Sequence, residues 1–191
     1  WLLALPLMLG VIIGGFGFPV LHELRNEWRT PQRWSIHTKL TLWGSIALIV
    51  AGAGFTLLGE WNNPGTLGPG GWPEKLLGSL FHSVMTRSGG FSLHDTAAMN
   101  TDTILSSTAL MMIGGGSAST AGGIRVTTFL LLGYVVWSEI RGYPETVAFR
   151  RRIGSESQRQ AVAVVLLAVG IVATGLFALV EVSTLPVERL L

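Results

Sequence analysis

The sequence predicts an all-α polytopic membrane protein, and three observations carry that expectation. The 191-residue chain is 49% hydrophobic and only 13% charged, with a mean hydropathy of +0.52, well outside the proportions of a soluble domain. Its apolar residues gather in runs able to cross a hydrocarbon core of about 30 Å, which takes about 20 helical residues. Its Lys and Arg concentrate in two of the loops between those runs, the bias of cytoplasmic loops. Four crossings and one re-entrant helix are expected.

Residues 1–21 are uncharged and apolar, and carry G-G-F-G-F-P at 14–19. The following linker, 25–39, holds Arg25, Arg29, Arg33 and Lys39, which places it on the cytoplasmic side. Residues 40–58 form the second crossing. Their exit, 60–71, contains no Lys or Arg and is rich in Gly, Pro and Asn, as an external loop should be.

Residues 72–91 read W-P-E-K-L-L-G-S-L-F-H-S-V-M-T-R-S-G-G-F. A proline opens the first helical turn, about fourteen helix-compatible residues follow, and the run stops at Ser88, Gly89 and Gly90. Such a helix is too short to span, yet it lies between long apolar segments, so it is expected to be re-entrant. Main-chain carbonyls at its glycine end could replace an ion's hydration shell, and the negative end of the helix dipole points to the same place. The combination describes a cation filter. An amphipathic helix lying on the membrane and ending in a glycine cap is the alternative these residues leave open. Arg87 would repel a cation if it faced the pore, so it is expected to point behind the filter and pair with a carboxylate. Asp95 and Asp102 are nearest in sequence.

Residues 103–137 have Arg125 as their only charge and would measure about 50 Å as one helix. The run must break, and five glycines within 114–123 supply the break. The two halves are each too short to span. Arg141, Arg150, Arg151, Arg152 and Arg159 then return the chain to the cytoplasmic side, which requires an odd number of crossings. One interrupted helix satisfies that count, and residues 160–180 form the last crossing. I-G-G at 13–15 recurs at 113–115, a short echo compatible with repeated architecture.

The glycine run is no phosphate loop, because Gly122 and Gly123 are followed by Ile124 and Arg125 rather than Lys and a hydroxyl residue. What remains is a flexible intramembrane loop with Ser117, Ser119 and Thr120, ending in an arginine. Arg125 lies about 18 Å along a helix from Trp137, far for snorkelling, so a pore-facing position is expected over a snorkelled kink. A net charge of +2 gives no reason to expect nucleic acid as a partner. Without cysteine, thiolate metal sites and cysteine nucleophiles are excluded, and His22, His37, His82 and His94 lack metal-ligand spacing. No catalytic set, cofactor or resident metal is expected. The chain starts at Trp1 with apolar sequence at once, and reads as part of a larger membrane protein.

Two stretches resemble the Trk/Ktr/HKT superfamily of potassium transporters. R-S-G-G-F at 87–91 is similar to that family's R-T-A-G-F filter. G-G-G-S-A-S-T-A-G-G-I-R-V-T-T at 114–128 resembles its intramembrane loop, with Ala118 where proline is frequent and Arg125 where lysine is frequent. Residues 14–19, followed by His37, Thr38, Lys39 and Leu40, resemble the end of one repeat and its linker. The resemblance implies M1, pore helix, M2 repeats around one pore. Residues 1–24 would then be the transmembrane end of the preceding repeat and 25–39 a cytoplasmic linker. Residues 40–139 would be the third repeat, with a re-entrant filter loop and a broken M2 helix. The segment 140–159 would be a cytoplasmic loop, and 160–191 the first helix of the next repeat.

By the same resemblance, Ser88, Gly89, Gly90 and Phe91 would bind the ion. Gly114, Gly115, Gly116, Ser117, Ser119, Thr120, Gly122, Gly123 and Arg125 would form a gate beneath it. Potassium uptake, with sodium open as a second ion, is the implied activity, in a bacterial plasma membrane. The implied partners are the remaining repeats of the full chain, a second copy, and a cytosolic nucleotide-binding regulatory subunit. The rival readings are a secondary transporter of another class, with a discontinuous-helix substrate site, and a membrane scaffold that transports nothing.

Overall fold

The computed structural model describes residues 3–142, 147–148 and 151–182. Among the described residues the regular elements are helices and one pair of two-residue antiparallel strands, and the chain divides into two compact units, 1–127 and 128–191.

In the first unit, α1 (Ala4–Phe16) and α2 (Phe18–Glu27) meet at 96°. This differs from the expected straight crossing over 1–21. Gly17 takes φ +80° and ψ 154° at the corner, a conformation open to glycine, and Pro19 then opens the new helix. A 3-10 turn (Pro31–Arg33) leads to α3 (Ile36–Glu60), whose first turn is capped by Ser35 Oγ accepting from the Thr38 amide at 3.2 Å. With 25 residues, α3 is about 37 Å long and apolar enough to cross a membrane.

One face of α3 is a buried stripe of small residues, Thr38, Thr41, Ser45, Gly52 and Thr56. Trp43, Ile46, Val50 and Leu58 are exposed on the helix away from that stripe, as an apolar solvent permits. Small residues let helix backbones approach closely, and the stripe lies against α4 (Trp72–Ser88). A Cβ at Gly52 would sit 2.6 Å from Leu110 Cδ1 and closer still to Ser83 Oγ, while Ser83 donates to the Ile49 carbonyl at 2.8 Å.

Helix α4 is 17 residues long, about 25 Å, somewhat longer than the sequence suggests and still short of a full crossing. Glu74 Oε2 accepts from the Gly71 amide at its start. All five residues from Phe81 to Met85 are buried, so α4 is sheathed on every side there by α1, α3 and α5 (Thr101–Met112). A helix lying on a membrane surface would bury only one face. Phe81, Val84 and Met85 form the core of this unit with Ala4 and Met8 of α1.

On the side expected to be external, Glu60 is fully buried and accepts from Asn63 Nδ2 at 2.6 Å, Thr66 Oγ1 at 2.6 Å and the Asn100 amide at 2.8 Å. Asn63 Nδ2 also donates to the Ala98 carbonyl at 2.7 Å. One carboxylate thus fastens both loops that flank α4. Lys75 donates to the Trp61 carbonyl at 2.6 Å and lies 4.7 Å from that ring's centre.

The second unit contains nearly all of α6 (Val126–Ile140), the strands β1 (Val147–Ala148) and β2 (Arg151–Arg152), and α7 (Ser155–Val182). Within α7, Ser155–Leu179 is apolar and long enough to cross, and it includes most of the expected last crossing. Residues 143–146 and 149–150 of the expected cytoplasmic loop, Arg150 among them, and residues 183–191 fall outside the described residues.

Two stability outcomes follow from this unit. Gly52→Val should cost about 1–3 kcal/mol by overpacking, whereas Gly54→Ala, with nothing within 4 Å of the new methyl, should be near neutral. Thermal midpoints of the detergent-solubilised protein check the pair. The second concerns Glu23, which accepts from the Ser35 amide at 2.6 Å, from Ser35 Oγ at 2.8 Å and from Thr38 Oγ1. Burial pushes its carboxyl up, but the hydrogen bonds from Thr38 and Ser35 outweigh burial and hold it below its ordinary value. The carboxylate's contribution is therefore complete above the unfolded-state value and is lost as pH falls through the depressed one. Glu23→Gln should lower the midpoint by a few degrees at pH 7 and flatten its decline in acid.

Candidate functional site

The break after α5 is a closed excursion of the backbone. Ile113 and Ile124 bridge in parallel, the Gly114 amide donates to the Ile124 carbonyl at 2.8 Å, and the Ile124 amide donates to Met112 at 2.8 Å. Residues 114–123 leave and return through this neck, the form of a compact Ω-loop. The Val126 amide then donates to the Gly115 carbonyl at 3.1 Å as α6 begins.

The loop rests on the corner between α1 and α2. The Gly116 amide donates to the Gly15 carbonyl at 2.7 Å, and the Thr120 amide reaches the Gly14 carbonyl at 3.5 Å. Side chains would prevent this approach: a Cβ at Gly116 would lie 2.6 Å from the Phe16 carbonyl oxygen. The two I-G-G stretches therefore mark two helix breaks that satisfy one another's backbone. The echo was visible in the sequence; that its two copies touch was not.

Gly114, Gly115 and Gly116 are buried, Ser117 and Ser119 half-buried, and Thr120, Gly122 and Gly123 exposed. Ser119 Oγ accepts from the Ala121 amide at 3.3 Å, and the Ser117 and Thr127 hydroxyls lie 3.3 Å apart. Ala118 sits at φ +58°. Proline, locked near −65°, could not take that conformation, so the alanine at this place permits a turn that proline would forbid. Arg125 is exposed rather than buried, and donates from Nη1 to the Gly116 carbonyl at 3.1 Å.

The end of α4 approaches this loop from the other side. Gly89 and Gly90 amides both donate to the Met85 carbonyl, at 2.8 and 3.0 Å, and Gly90 takes φ +69°. Ser88, Gly90 and Phe91 are exposed and Gly89 is half-buried. A small cavity lined by Phe16, Ser45, Arg87, Ser88, Gly115 and Ala121 separates the helix end from the loop.

Arg87 corrects one expectation. Its hydrogen bonds among the described residues go to three carbonyls and not to Asp95 or Asp102: Nη2 to Gly114 at 2.8 Å, Nη1 to Ser45 at 3.4 Å and Nε to Ile113 at 3.5 Å. The physical reason is the break itself. Where α5 stops, carbonyls at the negative end of its dipole lose their intrahelical partners, and a planar five-donor guanidinium fits several at once. The charge is thereby turned toward α3 and the loop neck by groups that no side-chain search would find.

A family model described as TrkH, cation transport protein, matches residues 1–188. The chain is 40% identical over 175 residues to Ktr system potassium uptake protein B of Bacillus subtilis, covering 92% of this chain and 39% of that protein. It is 31% identical over 169 residues to the protein of the same name from Vibrio alginolyticus, covering 88% and 37%. Potassium/sodium uptake protein NtpJ of Enterococcus hirae is 28% identical over 176 residues, covering 92% and 39%. The chain thus spans about two fifths of the length of these relatives.

Arg87→Met should leave the Gly114 and Ile113 carbonyls without this donor and lower stability by about 1–3 kcal/mol, with Arg87→Lys recovering only part, since a point charge cannot serve the fork. The midpoint of monodisperse protein on heating, read by size exclusion, distinguishes them. Equal midpoints for wild type and both variants would show that the carbonyls do not depend on Arg87.

Proposed function

This chain belongs to the TrkH family of cation transport proteins, and we propose that it is part of the pore-forming subunit of a potassium uptake system, centred on the third pore repeat. The observation that carries the reading is the helix end at Ser88 to Gly90: a buried helix too short to span, aimed by its C-terminus at a glycine-rich backbone. Carbonyls at Ser88, Gly89, Gly90 and Phe91 replace part of the hydration shell of a potassium ion, with the helix dipole adding negative potential. An anionic substrate would instead call for a helix N-terminus, which disfavours the rival secondary transporter. The relatives' names, potassium uptake protein and potassium/sodium uptake protein, support the same cargo with sodium as the competing ion.

The loop 114–123 with Arg125 is the gate. It lies beside the filter end, and the small cavity next to it gives room to shift. Arg125 adds a barrier of about 2 kcal/mol to a monovalent cation at about 8 Å with an effective dielectric constant of about 20. The protein acts as a transporter rather than an enzyme, in a bacterial plasma membrane. It works with the remaining repeats of its own full chain, a second copy, and a cytosolic nucleotide-binding regulatory subunit.

Two flux experiments on full-length protein in proteoliposomes test the proposal. Gly90→Val forces a β-branched side chain into a positive-φ position and should degrade potassium over sodium preference severalfold. Unchanged relative uptake would remove the filter assignment. Arg125→Gln and deletion of residues 117–121 should each raise potassium flux per folded molecule severalfold. Flux at or below wild type in both, with normal folding, would leave the loop as a structural kink.

A further inference from the structure

Helix α2 is held at a defined depth. It leaves α1 at 96°, and its Glu23 carboxylate is bonded to Ser35 and Thr38 in the first turn of α3, the point where that crossing helix begins. A segment tied there lies at the headgroup level of the bilayer, on the side where the arginines gather.

The surface it shows is mixed in a particular way. Phe18, His22 and Arg25, spaced four and three apart, share one helix face, and Arg29 follows in the turn after the helix; all four are exposed. Phe18 is 75% and Trp28 64% exposed, and the Arg29 guanidinium lies 4.9 Å from the centre of the Trp28 ring. Arg33 follows, exposed, in the Pro31–Arg33 turn. Of the helix's acids, Glu23 is occupied by α3 and Glu27 is half-buried, and among the described residues none of the three arginines is paired with a carboxylate. A face merely solvated by cytoplasm has no reason to expose a phenylalanine and a tryptophan beside its arginines. A headgroup boundary has, because it offers acyl chains to the rings and phosphates to the guanidiniums.

We propose that α2 and the following turn form a binding site for anionic phospholipid headgroups, with Phe18 and Trp28 in the acyl boundary and Arg25, Arg29 and Arg33 on phosphate oxygens. The proposal needs only the membrane setting and stands apart from ion flux. A cytosolic protein could reach the arginines but would leave Phe18 without an apolar neighbour at this depth.

The test uses full-length protein with cysteines elsewhere removed, labelled with bimane after Asn26→Cys on α2. The protein is placed in nanodiscs containing brominated phosphatidylglycerol or brominated phosphatidylcholine at equal mole fraction. Phosphatidylglycerol should quench preferentially, by about fivefold per arginine engaged. The preference should collapse in the Arg25→Gln, Arg29→Gln, Arg33→Gln variant and weaken in unmodified protein at about 0.5 M salt. Equal quenching by both lipids, insensitive to salt, would overturn the proposal and leave a helix resting in the interface without a headgroup site. Absence of quenching by either lipid would also overturn it, and would assign the face to a protein partner or to another part of the full chain.

Discussion

Peptide groups released inside a bilayer have almost nowhere to go, and the first unit is built around that restriction. Two helices stop within it, α1 at Phe16 and α5 at Met112. Each break would leave amides and carbonyls unpaired at a cost of several kcal/mol per group in hydrocarbon. The carbonyls of Gly14 and Gly15 take amides from Thr120 and Gly116, so part of each break is the other's remedy. Glycine is needed because the two backbones must come close enough to bond directly. The small-residue stripe of α3 serves the same requirement one layer out, letting α4 approach it closely.

Arg87 serves carbonyls that follow the end of α5. Bonded to Ile113, Gly114 and Ser45, it faces carbonyl oxygens that concentrate negative potential, so its charge is spent on the scaffold. The same bonds join the last turn of α4 to the neck of the loop and to α3. One side chain thereby sets the distance between the helix end and the glycine backbone.

Much of this was legible in the residues. Length and hydropathy marked α3 and α7; proline at the start and glycine at the end marked α4; and a run too long for one crossing required a break where the glycines lie. What stayed hidden has a common cause, since it depends on main-chain groups or on contacts far apart in sequence. The partners of Arg87 are carbonyls, which carry no residue signature, so a search for opposite charge pointed to Asp95 and Asp102. The 96° corner depends on one dihedral at Gly17, in a stretch whose composition alone reads as a single span. Glu60 stood at the edge of a loop as an ordinary polar residue. Its role as the shared acceptor for Asn63, Thr66 and the Asn100 amide comes from bringing together segments up to 40 positions apart.

The hydrogen-bond distribution also fixes the energy scale on which the loop can move. Its neck is held by the Gly114 and Ile124 amides, and its exit by the Val126 amide, all at 3.1 Å or less. Its body is fastened to the α1 corner by the Gly116 bond at 2.7 Å and by the longer Thr120 contact at 3.5 Å, which is marginal as a hydrogen bond. Lifting the body off the corner while keeping the neck intact therefore breaks one good hydrogen bond and one weak one. Unravelling the neck would cost more and would free the Ile113 and Gly114 carbonyls that Arg87 holds. Motion is thus directed to the segment between Gly116 and Gly123, hinged at the closed end, where the glycines on either side impose little steric resistance. A firmly held neck and a more lightly tethered body thus arise from the same few amides.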